Sequence, residues 1–256
     1  MRRLRIVVLA RDTEHPLLTE TLDLLAADGH VRVDAGEPAD LVLLKARTAD
    51  ALEVAAEYEE MGVPVLNSVA ATAFCQDRVA MEQRARAHRL PFAPTLAAGA
   101  IEELPWHEPV VVKSRRSRRG DLVARVDSAD AWQALARERA GEQVITQRVV
   151  PGDGWDRKVW VVGGRIFGEQ RRSELAATAG GEAVRRDWTP GAEETELAFM
   201  AGWAFGLDVF GVDLLPTPDG PVIIDVNAFP GVRHQPGAPR ALADLALRTT
   251  VLLVGA

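Results

Sequence analysis

Gly211-Val212-Asp213 and, twelve residues on, Asp225-Val226-Asn227 each place an acidic residue at the end of an apolar run. The stretch between them, Pro216-Thr217-Pro218-Asp219-Gly220, is a turn cluster in which Gly220 can adopt a positive φ. Two strands joined by this turn bring Asp213 and Asp225 close together. Because strand side chains alternate between faces, Asp225 and Asn227 point the same way. The sequence therefore predicts a β-hairpin that gathers two carboxylates and an amide oxygen on one face.

This set of oxygen donors is suited to Mg²⁺, which proteins commonly share with the phosphates of a nucleotide. Hairpins that end in acidic residues are also common, and their carboxylates are then simply solvated. The spacing alone leaves both interpretations open.

The composition is that of a globular protein. The 256 residues are 47% apolar and 26% charged, enough for one large domain or two small ones. A net charge of −7 argues against a general polyanion binder, so we expect no nucleic-acid partner. The single Cys75 excludes an intrachain disulfide and favours a cytoplasmic location. No run approaches the roughly 20 apolar residues that span a bilayer, so we expect no membrane partner.

The first 68 residues alternate between strand and helix patterns. Leu4–Ala10, Asp40–Lys45 and Val63–Asn67 read as strands, and Pro16–Ala27 and Asp50–Met61 read as helices. This alternation predicts an α/β unit with a parallel sheet. Further along, Ala70–His88 carries the pattern of one long helix.

Three cationic elements precede the acidic hairpin. Lys113 ends an apolar strand, where it is either a snorkelling strand end or a phosphate clamp. The run Arg115–Arg119 is either a solvated loop or a flap over an anionic ligand. Lys158 and Arg171-Arg172 lie at the two ends of a hairpin that turns at Gly163-Gly164. Cations opposite a metal-binding carboxylate set form an arrangement suited to phosphoryl transfer.

A series of motifs resembles one family in its order and spacing. The motifs are Asn67, Cys75–Arg78, Leu90–Thr95, Pro109–Lys113, Gln147–Gly152, Asp156–Gly163, Phe210–Asp213 and Ile224–Gly231. Together they resemble the ATP-grasp superfamily, most closely its branch of ribosomal-protein-glutamate ligases and lysine-biosynthesis ligases.

The resemblance implies an α/β fold in which two α+β lobes clamp ATP behind a small N-terminal α/β domain with a parallel sheet. The N-terminal domain would span 1–68 and the ATP-grasp domain 69–256. Its first lobe would cover about 69–145 and its second about 146–256.

The resemblance also implies a role for individual residues, with ATP and Mg²⁺ (Mn²⁺ being the alternative ion) as cofactors. The metal ligands would be Asp213, Asp225 and Asn227. The nucleotide contacts would be Arg78, Lys113, Arg115, Arg119, Gln147, Val149, Val150, Asp156 and Lys158. The catalytic cations would be Arg171, Arg172 and Arg186.

The sequence departs from the family pattern in its flap. The family's flap is rich in glycine and serine, so that backbone N–H groups approach the triphosphate. Here the flap is mostly arginine, and these arginines either take over phosphate binding or reach outward to an anionic substrate. Arg78 and Asp225 stand where the family usually has lysine and glutamate.

The activity implied is that of an ATP-dependent carboxylate–amine ligase, which forms an amide through an acyl phosphate and releases ADP and phosphate. Its partners would be small-molecule carboxylates and amines, and a homodimer is an assembly common in the family. One alternative is a kinase of the same fold that phosphorylates a hydroxyl of a small substrate, as inositol-phosphate kinases do. A second is a non-catalytic nucleotide-binding protein that serves a partner.

Overall fold

The chain begins with a four-stranded parallel sheet in the order β2-β1-β3-β4. A computed structural model describes residues 2–118, 120–173, 175 and 184–252. The strands are β1 Arg5–Ala10, β2 Val31–Val33, β3 Leu41–Lys45 and β4 Val65–Leu66, and the helices between them are α1 Pro16–Ala27 and α2 Ala49–Glu60. Because β1 and β3 are buried in the middle of the sheet, they read as continuous apolar runs. The predicted parallel sheet is confirmed.

The segment after β4 forms two short helices rather than the single long helix predicted. They are α3 Val69–Phe74 and α4 Arg78–Ala87. Asp77 interrupts the helical pattern because its carboxylate caps α4, accepting from the backbone N–H groups of Val79 at 3.0 Å and Ala80 at 3.3 Å. The break makes Arg78 the first residue of α4.

An antiparallel sheet follows, in the order β5-β8-β6-β7. Its elements are β5 Thr95–Ala100, β6 Val110–Ser114, β7 Val123–Val126, helix α5 Ala129–Glu138 and β8 Gln143–Arg148. Val110, Val112 and Val144 turn inward to a small core that Trp132 of α5 covers.

A five-stranded antiparallel sheet completes the fold, in the order β11-β10-β9-β12-β13. Its elements are β9 Trp155–Val162, β10 Arg165–Arg172, β11 Arg185–Asp187, helix α6 Ala192–Phe205, β12 Val209–Thr217, β13 Gly220–Ala228 and helix α7 Ala238–Leu252. The predicted turn at Gly163-Gly164 is confirmed, with φ of 57° and 86°. Among the described helices, none is long and apolar enough to cross a membrane.

One apolar core joins the first sheet to the last. It combines Ile6 and Leu43 of the parallel sheet with Trp160 of β9 and Leu242 and Leu245 of α7. The parallel sheet is therefore packed against the sheet that carries the acidic hairpin.

The side chain of Asn67 fastens the end of β4 to the start of β12. Its Nδ2 donates to the carbonyl of Val209 at 2.6 Å, and its Oδ1 accepts from the N–H groups of Asp208 at 2.8 Å and Val209 at 2.9 Å. Asn67 is buried, and both of its bonds to Val209 are shielded from water.

We expect Asn67→Ala to lower the free energy of unfolding by about 3 kcal/mol, because it removes three hydrogen bonds and takes the Asn67 acceptor from the N–H groups of Asp208 and Val209, while the Val209 carbonyl keeps the N–H of Phe229 at 2.8 Å. The melting temperature should fall by about 6–12 °C. Thermal denaturation followed by circular dichroism measures this, with the exposed Gln83→Ala of α4 as the control. A loss no larger than that of the control would contradict a fastening role for Asn67.

Candidate functional site

A cleft of about 360 Å³ lies between the two antiparallel sheets. Of the residues selected from the sequence, the cleft is lined by Arg78, Lys113, Gln147, Val149, Val150, Asp156, Arg171, Asp213 and Asp225. Val111, Val123, Leu215 and Ile224 supply apolar walls. The fold thus gathers basic, acidic and apolar side chains from distant parts of the chain into one opening.

The acidic hairpin has the register expected from the sequence. Asp213 of β12 pairs directly with Asp225 of β13, and Gly211 pairs with Asn227. Residues that pair across antiparallel strands share a face, so the two carboxylates and the Asn227 amide lie on the same face. Among the described residues, no three His, Cys, Asp or Glu side chains form a group that could hold a metal ion. An ion bound by Asp213 and Asp225 would therefore take its other ligands from Asn227, water or a bound phosphate.

Each carboxylate of the hairpin is held by a cation from another element. Lys158 Nζ lies 2.8 Å from both carboxylate oxygens of Asp213. Arg78 donates to Asp225 at 3.2 Å, to Asp121 at 2.6 Å and to the carbonyl of Ser114 at 2.8 Å. The arginine at the start of α4 therefore joins the first antiparallel sheet to the hairpin.

These cations keep Asp225 ionised. Burial by itself disfavours the charged carboxylate, but the opposing charges of Arg78 and Lys113 and the Arg78 hydrogen bond outweigh it and lower the pKa of Asp225. A carboxylate that stays charged when buried is suited to binding a cation.

Lys113 is buried in the cleft and does not reach solvent as a snorkelling strand end would. Its Nζ donates to the carbonyl of Ile224 at 2.7 Å. Burial lowers the pKa of Lys113, Asp225 opposes that shift, and Arg78 adds to it. In the described part of the chain no carboxylate lies within ion-pair distance of Nζ, so this ammonium is available to an anion in the cleft.

At the opposite side of the cleft, Asp156 faces Arg171, with Arg171 Nη2 3.7 Å from Asp156 Oδ2. Burial raises the pKa of Asp156, while a hydrogen bond from Ser173 and the charge of Arg171 oppose it. Asp156 and Arg171 therefore form an ion pair in the wall of the cleft.

Six residues selected from the sequence do not line the cleft or lie outside the described residues, namely Lys158, Asn227, Arg115, Arg172, Arg186 and Arg119. Arg115 turns away to bind the α4 cap, Asp77, with its Nη2 2.9 Å from Oδ2. Arg172 and Arg186 flank the indole of Trp155, with guanidinium carbons 5.6 and 3.9 Å from the ring centroid. Arg119 lies outside the described residues.

Two cations at this site were not selected from the sequence. Arg47 follows β3 and donates to Asn227 Oδ1 at 3.3 Å, to the carbonyl of Ala228 at 3.1 Å and to Ser117 Oγ at 3.4 Å. Lys45 ends β3 and donates to the carbonyl of Phe229 at 3.2 Å. The signal that could have found them is their position, since ligands collect at the carboxyl ends of parallel strands.

Cys75 is buried next to this site, and burial together with the charge of Asp225 raises its pKa to about 12, against the opposing charges of Arg47 and Arg84. We expect its thiol to react with a disulfide reagent about 10³-fold more slowly in the folded protein than in denaturant, because little thiolate forms. Absorbance of the released reagent measures both rates. Equal rates would show that the helix pair α3–α4 opens readily.

Comparison with known proteins places this geometry in a family. The model of the RimK-like ATP-grasp domain matches residues 81–238. A probable alpha-L-glutamate ligase 2 of Shewanella sp. (strain W3-18-1) is 26% identical over 197 residues. That match covers 71% of this chain and 65% of the relative, so the chain spans less than two thirds of its length.

Solved structures share the fold over nearly the whole chain. The RimK domain protein ATP-grasp of Sphaerobacter thermophilus DSM 20745 has a TM-score of 0.77 at 24% identity, covering 95% of this chain and 99% of that one. The D-alanine–D-alanine ligase of Bacillus anthracis has a TM-score of 0.74 at 14% identity and covers 98% of both chains. Since the family model matches more than half of the residues, the chain belongs to the RimK-like ATP-grasp family.

Proposed function

We propose that the protein is an ATP-dependent ligase that joins a carboxylate to an amine through an acyl phosphate, releasing ADP and phosphate. The observation that carries this proposal is the cleft lined by Lys113, Arg78 and the paired Asp213 and Asp225, with Lys158 bound to Asp213. It is supported by the similar proteins, a probable alpha-L-glutamate ligase and a D-alanine–D-alanine ligase. In this reading, residues 69–256 are the ATP-grasp domain, with lobes at about 69–145 and 146–256, and 1–68 form a substrate-facing domain.

ATP would lie in the cleft with its base between apolar side chains. Val111 and Val123 come from one sheet and Leu215 and Ile224 from the other, so a flat ring fits between them. Gln147, Val149 and Val150 would lie along the edge of the base. Gln147 is buried and donates to the carbonyl of Ala93 at 3.2 Å, which fixes the strand on which the base rests.

The phosphates would extend toward the basic residues. Lys113 has an ammonium without a carboxylate partner among the described residues, and a phosphate oxygen would provide the missing counter-charge. Arg78, Lys158 and Arg171 lie around the same opening, and Asp156 orients Arg171. Arg172 and Arg186, which flank Trp155, would serve the incoming substrate rather than the transferred phosphoryl group.

Asp213, Asp225 and Asn227 would hold Mg²⁺, or Mn²⁺ in its place. The fit rests on the donor set, which consists of two carboxylates and an amide oxygen on one face of the hairpin. The ion would neutralise charge on the β- and γ-phosphates during transfer.

The chain's own contribution to the reaction is to position the reactants and to balance charge. A carboxylate oxygen of the substrate bonds to the γ-phosphorus while the bond from that phosphorus to the β–γ bridging oxygen breaks, and ADP leaves. An amine then attacks the acyl carbon, phosphate leaves with the electron pair of its bond, and the amine's proton passes to solvent. Neither step needs a covalent nucleophile from the protein.

The test is to supply Mg·ATP with single carboxylates, namely amino acids and short peptides ending in glutamate, and to use hydroxylamine as the amine. A ligase releases phosphate and forms the hydroxamate of its carboxylate. A phosphoester formed from a hydroxyl substrate would instead indicate the kinase. Tight Mg·ATP binding without turnover on any substrate would indicate the non-catalytic protein.

A further inference from the structure

We propose that Lys45 and Arg47, at the carboxyl end of β3, bind the substrate carboxylate that receives the γ-phosphoryl group. This inference rests on the ligase activity proposed above and deepens it, because it assigns the carboxylate a position and two protein contacts.

The first argument is the position of Arg47 relative to the cleft. Asp213 and Asp225 line the cleft, whereas Asn227, two residues further along β13, receives a hydrogen bond from Arg47 at 3.3 Å. Neither Lys45 nor Arg47 lines the cleft. In phosphoryl transfer the attacking oxygen and the leaving oxygen are roughly in line across the phosphorus. The attacking carboxylate therefore belongs on the same face of the hairpin as Asp213 and Asp225 but beyond them, at the Asn227 end, where Arg47 lies and the cleft does not reach.

The second argument is the charge around these two side chains. In the described part of the chain, the acceptors within hydrogen-bond reach of Lys45 and Arg47 are a hydroxyl, an amide oxygen and backbone carbonyls, all of them neutral. Burial lowers the pKa of Lys45 to about 8, and the charges of Arg47 and Arg233 lower it further, against Asp12. Burial and the charges of Lys45 and Arg233 also lower the pKa of His15, against Asp12. Asp225 and Asp121 offset part of the charge of Arg47, but neither lies within ion-pair distance of Arg47 or Lys45, and a bound carboxylate would neutralise these two cations directly.

The third argument is the chain's use of lysine. Of its 30 basic residues, counted as lysine plus arginine, the lysines are Lys45, Lys113 and Lys158, and all the others are arginine. Lys113 lines the cleft and Lys158 binds Asp213. A chain that uses arginine elsewhere keeps lysine at positions around one site, where a compact ammonium binds an oxygen anion as a point charge. Lys45 fits this pattern.

The step that these residues serve needs no proton transfer. One oxygen of the bound carboxylate forms a bond to the γ-phosphorus, the phosphorus–oxygen bond to ADP breaks, and ADP leaves with the electron pair. Lys45 and Arg47 hold the carboxylate in place for this attack, and their charges favour a carboxylate over a neutral group there.

A purely structural role is the competing explanation. Lys45 donates to the carbonyl of Phe229 and lies 5.8 Å from its ring centroid, and Phe229 has a φ of 44° in the loop after β13. If Lys45 only supports this loop, its replacement should lower stability and alter Mg·ATP affinity. It should not act selectively on the carboxylate.

The experiment compares Lys45→Met, Lys45→Arg and Arg47→Lys with the wild type in the hydroxamate assay. For Lys45→Met and Arg47→Lys we expect the KM of the carboxylate to rise about 10- to 100-fold, because each change removes a charge-assisted hydrogen bond to it. For Lys45→Met, which removes no contact to a proposed metal ligand, we expect the Kd of Mg·ATP, measured by calorimetry, to stay within about twofold. Arg47 contacts Asn227 Oδ1, so Arg47→Lys is used for the KM of the carboxylate alone. Lys45→Arg should recover part of the loss because it restores the charge. Arg32→Gln, an exposed change on β2, which β1 separates from β3 in the same sheet, is the control.

The outcomes separate the two proposals. A wild-type enzyme that forms no hydroxamate with any carboxylate overturns the ligase and, with it, this inference. Hydroxamate formation with an unchanged KM in Lys45→Met overturns the carboxylate site alone, as does a matching rise in the Kd of Mg·ATP. If Arg47→Lys fails to fold, Lys45→Met decides by itself.

Discussion

Replacing Asp225 with asparagine should reduce the rate of hydroxamate formation by about 10³-fold, since a metal ion's stabilisation of transferring phosphate is worth several kcal/mol. Asp225 pairs directly with Asp213 and is half-buried beside Arg78 and Lys113, and asparagine keeps its shape but removes its charge. The measurement is a titration with Mg²⁺ at saturating ATP. The variant should need far more Mg²⁺ for its residual activity.

The same hairpin provides the control for this change. Asp219 lies exposed in the turn between β12 and β13, outside the cleft, so Asp219→Asn should stay within about twofold of the wild-type rate. Circular dichroism of Asp225→Asn is also needed, because the change leaves Arg78 with Asp121 as its remaining carboxylate partner. A folded variant with wild-type Mg²⁺ dependence would exclude Asp225 as a metal ligand.

The acidic hairpin could be predicted because all its information is local. The turn at Gly220 sets the pairing, and the two-residue alternation of a strand then determines which side chains share a face. The parallel sheet could be predicted for the same reason, since its buried strands read as apolar runs between helix patterns.

The rest depends on contacts between residues far apart in the chain. Arg47 reaches Asn227 from 180 positions away, and no local pattern distinguishes it from the other arginines. The sequence did not reveal the break between α3 and α4 because the apolar period continues through it. The break comes from Asp77, which caps α4 and also accepts a hydrogen bond from Arg115. Arg115 was expected at the phosphates for a similar reason, as its position in a basic run does not reveal the acid that it binds.

We expect Lys113→Met to raise the Kd of Mg·ATP by about 10- to 100-fold, because it removes one charge-assisted contact to phosphate. We also expect the unliganded variant to be more stable than the wild type, by about 1 kcal/mol or about 2–4 °C in melting temperature. The ammonium of Lys113 is buried without a carboxylate partner among the described residues, and burial lowers its pKa because the charged form is disfavoured there. Methionine fills a similar volume without that cost.

Both effects have one cause, the buried charge of Lys113, so both should appear in the same variant. Replacing a lysine that stabilises the fold would lower stability. Replacing a lysine that serves to bind an anion should lower the affinity for that anion and raise the stability of the unliganded protein. Calorimetry gives the Kd, and thermal denaturation without and with Mg·ATP gives both melting temperatures. The stabilisation by Mg·ATP should be smaller in the variant, because ligand-linked stability follows the ratio of ligand concentration to Kd. A variant with lower stability and unchanged affinity would assign Lys113 to holding the carbonyl of Ile224, and the phosphates would then depend on Arg78, Lys158 and Arg171.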